Sequence, residues 1–92
     1  MATILNEQEI NARLKELEAW VREGDEIKRV CELKDFVHAM AFVNSVAILA
    51  EKANHHPDID IRWNKVALVL STHSAGGLTA NDFNLAKRID GL

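Results

Sequence analysis

Two short stretches hold the residues whose types and spacing could do chemistry. Asn54-His55-His56-Pro57 sets adjacent imidazoles at the end of a long apolar run, and Ser71-Thr72-His73-Ser74 supplies a third imidazole among hydroxyls. Pro57 has no backbone N–H and disfavours helical geometry at His56, so a helix carrying the first stretch must stop there. The unpaired carbonyls at a helix C-terminus favour positive charge. Imidazole is also the side chain that ordinarily titrates near neutrality. The chemistry on offer is proton transfer.

His55, His56 and His73 admit three readings. They are unrelated exposed histidines, or a zinc site completed by Asp58 or Asp60, or a metal-free acid–base site. Zinc is disfavoured, because adjacent helix-end residues diverge by about 100°. The i, i+4 pair and the spaced Cys/His patterns of metal sites are also missing. For acid–base work around one pocket, divergence is an advantage. Asn54 could hydrogen-bond a ligand amide or simply cap the helix. Ser71 and Thr72 could line the pocket or be ordinary sheet-edge residues, and Trp20 and Trp63 could stack on a planar ligand or pack. His38 lies inside the apolar run and reads as a polar spot at a helix–helix contact.

Elements must bring these stretches together. Asn6 with Glu9 is a capping-box start, followed by Ile10, Leu14 and Leu17 on one helical face. Ala19-Trp20-Val21 and Glu26 to Leu33 read as hairpinned strands around Glu23-Gly24-Asp25. Asp35 caps a helix from Phe36 to Ala53. One of its faces holds Phe36, Met40, Val43 and Ala47, and so much of the rest is apolar that a second copy of the chain should cover part of it. Ile59, Ile61 and Trp63 alternate with Asp60 and Arg62 in a third strand, and Asn64-Lys65 leads tightly into Val66 to Thr72. His73 continues that strand's lighter face beside Ser71, before a flexible Gly76-Gly77 loop. Thr79 with Asp82 caps a last helix whose Phe83, Ala86 and Ile89 face inward and which ends at Gly91. The order α-β-β-α-β-β-α predicts an α+β fold: a four-stranded antiparallel sheet with three helices packed on one face.

Ninety-two residues, 48% of them hydrophobic, make a single domain over 1–92 with a modest core. A net charge of −3 with scattered Lys and Arg gives no reason to expect nucleic acid or an anionic membrane as partner. His38, Asn44 and Ser45 interrupt the apolar run, so it is not read as a membrane span. Cys31 stands alone, which excludes an internal disulfide and suits a reducing compartment. It reads as a small buried hydrophobe on a strand. With no secretory pattern in Met1 to Glu7, a cytoplasmic location is expected.

The run Glu51-Lys52-Ala53-Asn54-His55-His56-Pro57-Asp58, then Asn64-Lys65-Val66, then Leu70-Ser71-Thr72-His73-x-x-Gly76-Gly77-Leu78-Thr79-x-x-Asp82, closely resembles the pterin-4a-carbinolamine dehydratase family. Lys34-Asp35-Phe36 and Trp20 match as well, so the resemblance covers nearly the whole chain. It implies the fold just derived and the dehydration of 4a-hydroxytetrahydropterin to quinonoid dihydropterin, recycling the pterin of aromatic amino acid hydroxylases. By position, His55 and His73 resemble the acid–base groups and His56 the residue that binds and orients the pterin. Asn54 and Ser71, Thr72 and Ser74 would line the pocket. No cofactor or metal is implied. The implied partners are the pterin, further copies of the chain as homodimer or homotetramer, and an aromatic amino acid hydroxylase. Many relatives carry an acid where this chain has Asn54, a tryptophan at Ile59 and a tyrosine at Trp63. A second class stays open, because one family member stabilises transcription-factor dimers through the long helix. Here that would mean the face of Val37, Ala41 and Ile48.

Overall fold

A computed structural model describes residues 2–92. Three helices and four strands follow in the expected order: α1 (Glu7–Leu14), β1 (Val21–Glu23), β2 (Glu26–Glu32), α2 (Phe36–Ala53), β3 (Asp58–Arg62), β4 (Lys65–Leu70) and α3 (Ala80–Asp90). A single 3-10 turn, His73–Ala75, lies between β4 and α3. Every strand pairing is antiparallel, and the sheet order is β1-β2-β4-β3.

Alternation along the strands decides which face the helices cover. Ile27 pairs with Leu70, Arg29 with Leu68 and Cys31 with Val66, all on one face. Of these, Ile27, Val66, Leu68 and Leu70 are fully buried. Lys28, Val30, Ala67 and Val69 point the other way and remain partly or wholly open. On the covered side Phe83, Leu85, Ala86 and Ile89 of α3 join Ile10 of α1, together with Leu17, Trp20 and Leu78. Burying side chains of this size contributes about 1.5–3 kcal/mol each. Arg29 breaks the apolar pattern because its guanidinium leaves the core for Asp90 at 2.6 Å, where Trp20 Nε1 also donates at 2.8 Å. Cys31 is buried on β2, as expected of a small hydrophobe, and burial pushes its thiol pKa up.

Three local readings are corrected. The buried stripe of α2 is Ala39, Val46 and Ala50, not Phe36, Met40, Val43 and Ala47; Phe36 and Ala47 are exposed. Small side chains let the helix approach closely, while Phe42, Val43 and Leu49 pack at its flanks. α1 stops at Leu14, and Leu17 reaches the core from the turn beyond it. The β3–β4 hairpin turns on Trp63-Asn64, not Asn64-Lys65, since Arg62 pairs with Lys65. Trp63 is 71% exposed with φ of 52°. Asn64 is buried there and donates its amide to Leu33 O at 3.0 Å.

With 18 residues and a mean hydropathy of 1.2, α2 is long and apolar enough to cross a membrane. Its buried stripe is instead part of the domain's own core. His38 is exposed at its first turn, where Asp35 accepts the His38 backbone N–H at 2.8 Å.

Candidate active site

The first histidine is placed by the way α2 ends. Asn54 takes a left-handed conformation (φ 48°, ψ 44°), so the helix terminates before Pro57 can stop it. This is the local capping role, available to asparagine at low steric cost. The turn lets the His55 N–H reach back to Ala50 O at 3.1 Å and carries the imidazole to the start of α3. There His55 Nε2 lies 2.5 Å from Asp82 Oδ1.

Asp82 is held by the other stretch. Its Oδ2 accepts the Thr79 backbone N–H at 2.9 Å, closing the capping box of α3, and the Thr72 hydroxyl at 2.8 Å. Thr72 Oγ1 is also 2.8 Å from Thr79 Oγ1. Because the Thr72 hydrogen goes to the carboxylate, Thr79 donates to Thr72. Asp82 has no exposed surface. Burying a carboxylate costs several kcal/mol unless it is paired and hydrogen-bonded, and here both oxygens are filled. The carboxylate accepts, so Nε2 of His55 carries the hydrogen and Nδ1 is left to exchange a proton. The two stretches singled out by composition thus meet at Asp82.

His73 opens the 3-10 turn and does not extend the strand. That turn is clamped where Thr72 N–H donates to Gly77 O and Gly76 N–H to Thr72 O, both at 3.0 Å. Gly76 sits at φ 78°, a left-handed conformation that favours glycine, so the loop is shaped rather than slack. Ser71 and His73 line an open cleft of about 410 Å³ with Glu23, Asp25 and Glu26 opposite. The lining of this cleft includes neither His55 nor His56. His56 is exposed and its Nε2 lies 2.6 Å from Glu51 Oε1 on the last turn of α2. Asn54 and Ser74 are exposed, Ser71 is half-buried, and the Thr72 hydroxyl is committed to the buried network. Among the described residues no three His, Cys, Asp or Glu side chains gather closely enough to share a metal ion. Asp58 and Asp60 pair with Val69 and Ala67 and share their open sheet face.

This geometry coincides with a family pattern across the chain. A family model described as Pterin 4 alpha carbinolamine dehydratase matches residues 3–92. The chain belongs to that family. A relative from Roseiflexus castenholzii, provisionally named pterin-4-alpha-carbinolamine dehydratase, is 59% identical over 90 residues, 98% of this chain and 97% of its own. One from Nocardia farcinica with the same provisional name is 52% identical over 89 residues, covering 97% and 94%. A transcriptional coactivator/pterin dehydratase of known structure from Brucella melitensis superposes with a TM-score of 0.88 at 36% identity, over 95% of each chain. A pterin dehydratase-like protein identified as a RuBisCO assembly factor in the alpha-carboxysome shares the fold, with a TM-score of 0.64 at 19% identity over 78% of this chain and 83% of that one.

Within this pterin-4a-carbinolamine dehydratase family member, sequence reasoning gave Asp82 only as a helix cap. Its contact with His55 spans 27 residues, which no local pattern reports. The available signal was the Thr79-x-x-Asp82 box itself, which buries a carboxylate at the start of α3 with one oxygen to spare. The pairing of His56 with Glu51, five residues apart, forms only because the chain turns back at Asn54, so no helical spacing signals it. The carboxylate on His55 comes from α3.

Proposed function

We propose that this chain is a hydro-lyase that converts a 4a-hydroxytetrahydropterin to quinonoid dihydropterin and water by histidine acid–base catalysis without a metal. The observation that carries the reading is the Asp82 bridge. It gives His55 a fixed tautomer and ties it to the residue preceding His73. The reaction breaks the C4a–O bond and forms the C4a–N5 double bond. One group must protonate the departing hydroxyl and another must take the N5 proton. An imidazole can both give and accept a proton, which suits both transfers. In this scheme His55 and His73 are the acid–base pair, and His56 binds and orients the pterin. Asn54, Ser71 and Ser74 line the pocket, while Thr72 holds Asp82 and hence His55. Dehydration of enzymatically generated 4a-carbinolamine, followed as quinonoid product, tests the assignment. A rate no faster than buffer alone would remove it.

A second reading rests on α2. Val37 is 73% and Ile48 is 59% exposed, so the helix presents an uncovered apolar face. That face suits a protein-interaction module of the dimerisation-cofactor or coactivator type. Catalysis and docking use different residues, so both roles can reside in one chain.

A further inference from the structure

The cleft where the last turn of α2 meets α3 differs in charge from three other clefts of the described surface. Lys52, Ala53, Asn81, Asn84, Leu85 and Arg88 line it, and its volume is about 220 Å³. Each of the others contains carboxylates: Glu23, Asp25 and Glu26 in one, Glu16, Glu18 and Asp90 in the second, Glu23 in the third. In a chain of net charge −3 this cleft has none. Among the described residues the arginines and lysines in ion pairs are Arg22, Arg29, Arg62 and Lys87. Lys52 and Arg88 are therefore two cations converging on one cleft without a counter-ion. Asn81, Asn84 and Arg88 recur at i, i+3 and i+7, which aligns them along one face of α3.

We propose that this cleft binds the phosphate group of a small phosphorylated molecule. A phosphate monoester near neutral pH carries close to two negative charges, matching the two cations. Its oxygens can accept from the Arg88 fork, the Lys52 ammonium and two carboxamides, the donors that the cleft provides. A carboxylate has one charge and would leave a cation unmatched. The volume lies below the span of about 300–1,000 Å³ typical for whole small-molecule ligands, so the cleft takes a headgroup. The site is separate from the proton-transfer groups and does not rest on the dehydratase reading. It adjoins them in sequence, with Ala53 two residues from His55 and Asn81 next to Asp82. The phosphate thus belongs either to the substrate's own side chain or to a separate molecule.

Titration of the isotopically labelled full chain with inorganic phosphate, followed by NMR, tests the proposal. Saturable shifts are expected at the Asn81 and Asn84 side-chain amides. The double variant Lys52→Gln plus Arg88→Gln should weaken phosphate binding by about tenfold or more, the scale of a lost charge-assisted contact. The control double variant Lys34→Gln plus Lys65→Gln removes the same two charges outside the cleft and should leave it unchanged, as should Lys34→Gln alone. Shifts that never saturate, equal weakening by the control double variant, or acetate binding as tightly as phosphate would each overturn the site. Steady-state dehydration of a pterin with a phosphorylated side chain then separates the sources. A KM raised by the double variant assigns the phosphate to the substrate. An unchanged KM alongside lost phosphate binding assigns it to a separate molecule, and either result supports the site.

Discussion

At the scale of single residues the central fact is the committed state of Asp82. Each of its oxygens has a partner, so a change at this position is felt by His55 and by α3 together. Asp82→Asn should lower kcat and alter the pH–rate profile, because an amide can donate to Nε2 and impose the other tautomer. It should also cost about 1–3 kcal/mol of stability, the scale for a disturbed buried hydrogen bond. Denaturant unfolding of the same variant separates the two effects. His55→Ala and His73→Ala should each slow dehydration by roughly 10²–10⁴, with the double variant far worse than either. In the proposed scheme His56 binds and orients the pterin, so His56→Ala should raise KM. Full activity in the folded His55, His73 double variant would discard the acid–base scheme. Cys31 offers a check on the core: with its thiol pKa pushed up by burial, it should resist a soluble disulfide reagent until urea unfolds the chain. Rapid labelling of the native protein would contradict that burial.

At the scale of elements the two capped helices and the helix over Phe36–Ala53 were legible because caps are local. Asn6 with Glu9, Asp35 alone, and Thr79 with Asp82 each satisfy backbone N–H groups within three residues. What was not legible involves packing between elements. Because α2 is apolar nearly all round, its pattern does not single out the side that turns inward, and the core accepts Ala39, Val46 and Ala50. The sequence likewise could not show that Trp63 would occupy a positive-φ turn position, which aromatic residues seldom take. At the site, the residue types were readable, but the bond from His55 to Asp82 was not. The Asp35 cap makes a directional prediction. The His38 backbone N–H, then its side chain, hold the Asp35 carboxyl below its ordinary 3.8. A depressed folded-state value means that the cap's stabilisation is present above the ordinary carboxylate range and is lost as pH falls through the lowered value. Asp35→Ala should therefore lower the thermal midpoint at neutral pH and narrow its gap from the parent as pH drops below that range. A gap independent of pH would show that the charge on Asp35 contributes nothing.

At the scale of the whole molecule the sheet and α3 cannot cover what α2 presents. Val37, Ala41, Asn44 and Ile48 follow at i, i+4, i+7 and i+11, and all four are exposed, Val37 by 73%. Such a stripe is the geometry of a helix seam, and an isolated apolar face of this length favours burial against another copy. Burying Val37 and Ile48 on each of two protomers would contribute several kcal/mol at about 1.5–3 kcal/mol per side chain. Part of that offsets the entropy of association. The chain should therefore be at least dimeric at micromolar concentration by light scattering. Val37→Glu combined with Ile48→Glu should yield monomers that retain the native circular dichroism, because neither side chain belongs to the buried core. This outcome also separates the two functional readings. Monomers that still dehydrate the carbinolamine would place catalysis within a single protomer, since His55, Asp82 and Thr72 are joined inside one chain. Monomers that are folded but inactive would mean that a neighbouring copy completes the cleft at His73. A parent chain that scatters as a monomer would leave the α2 face open for a different protein.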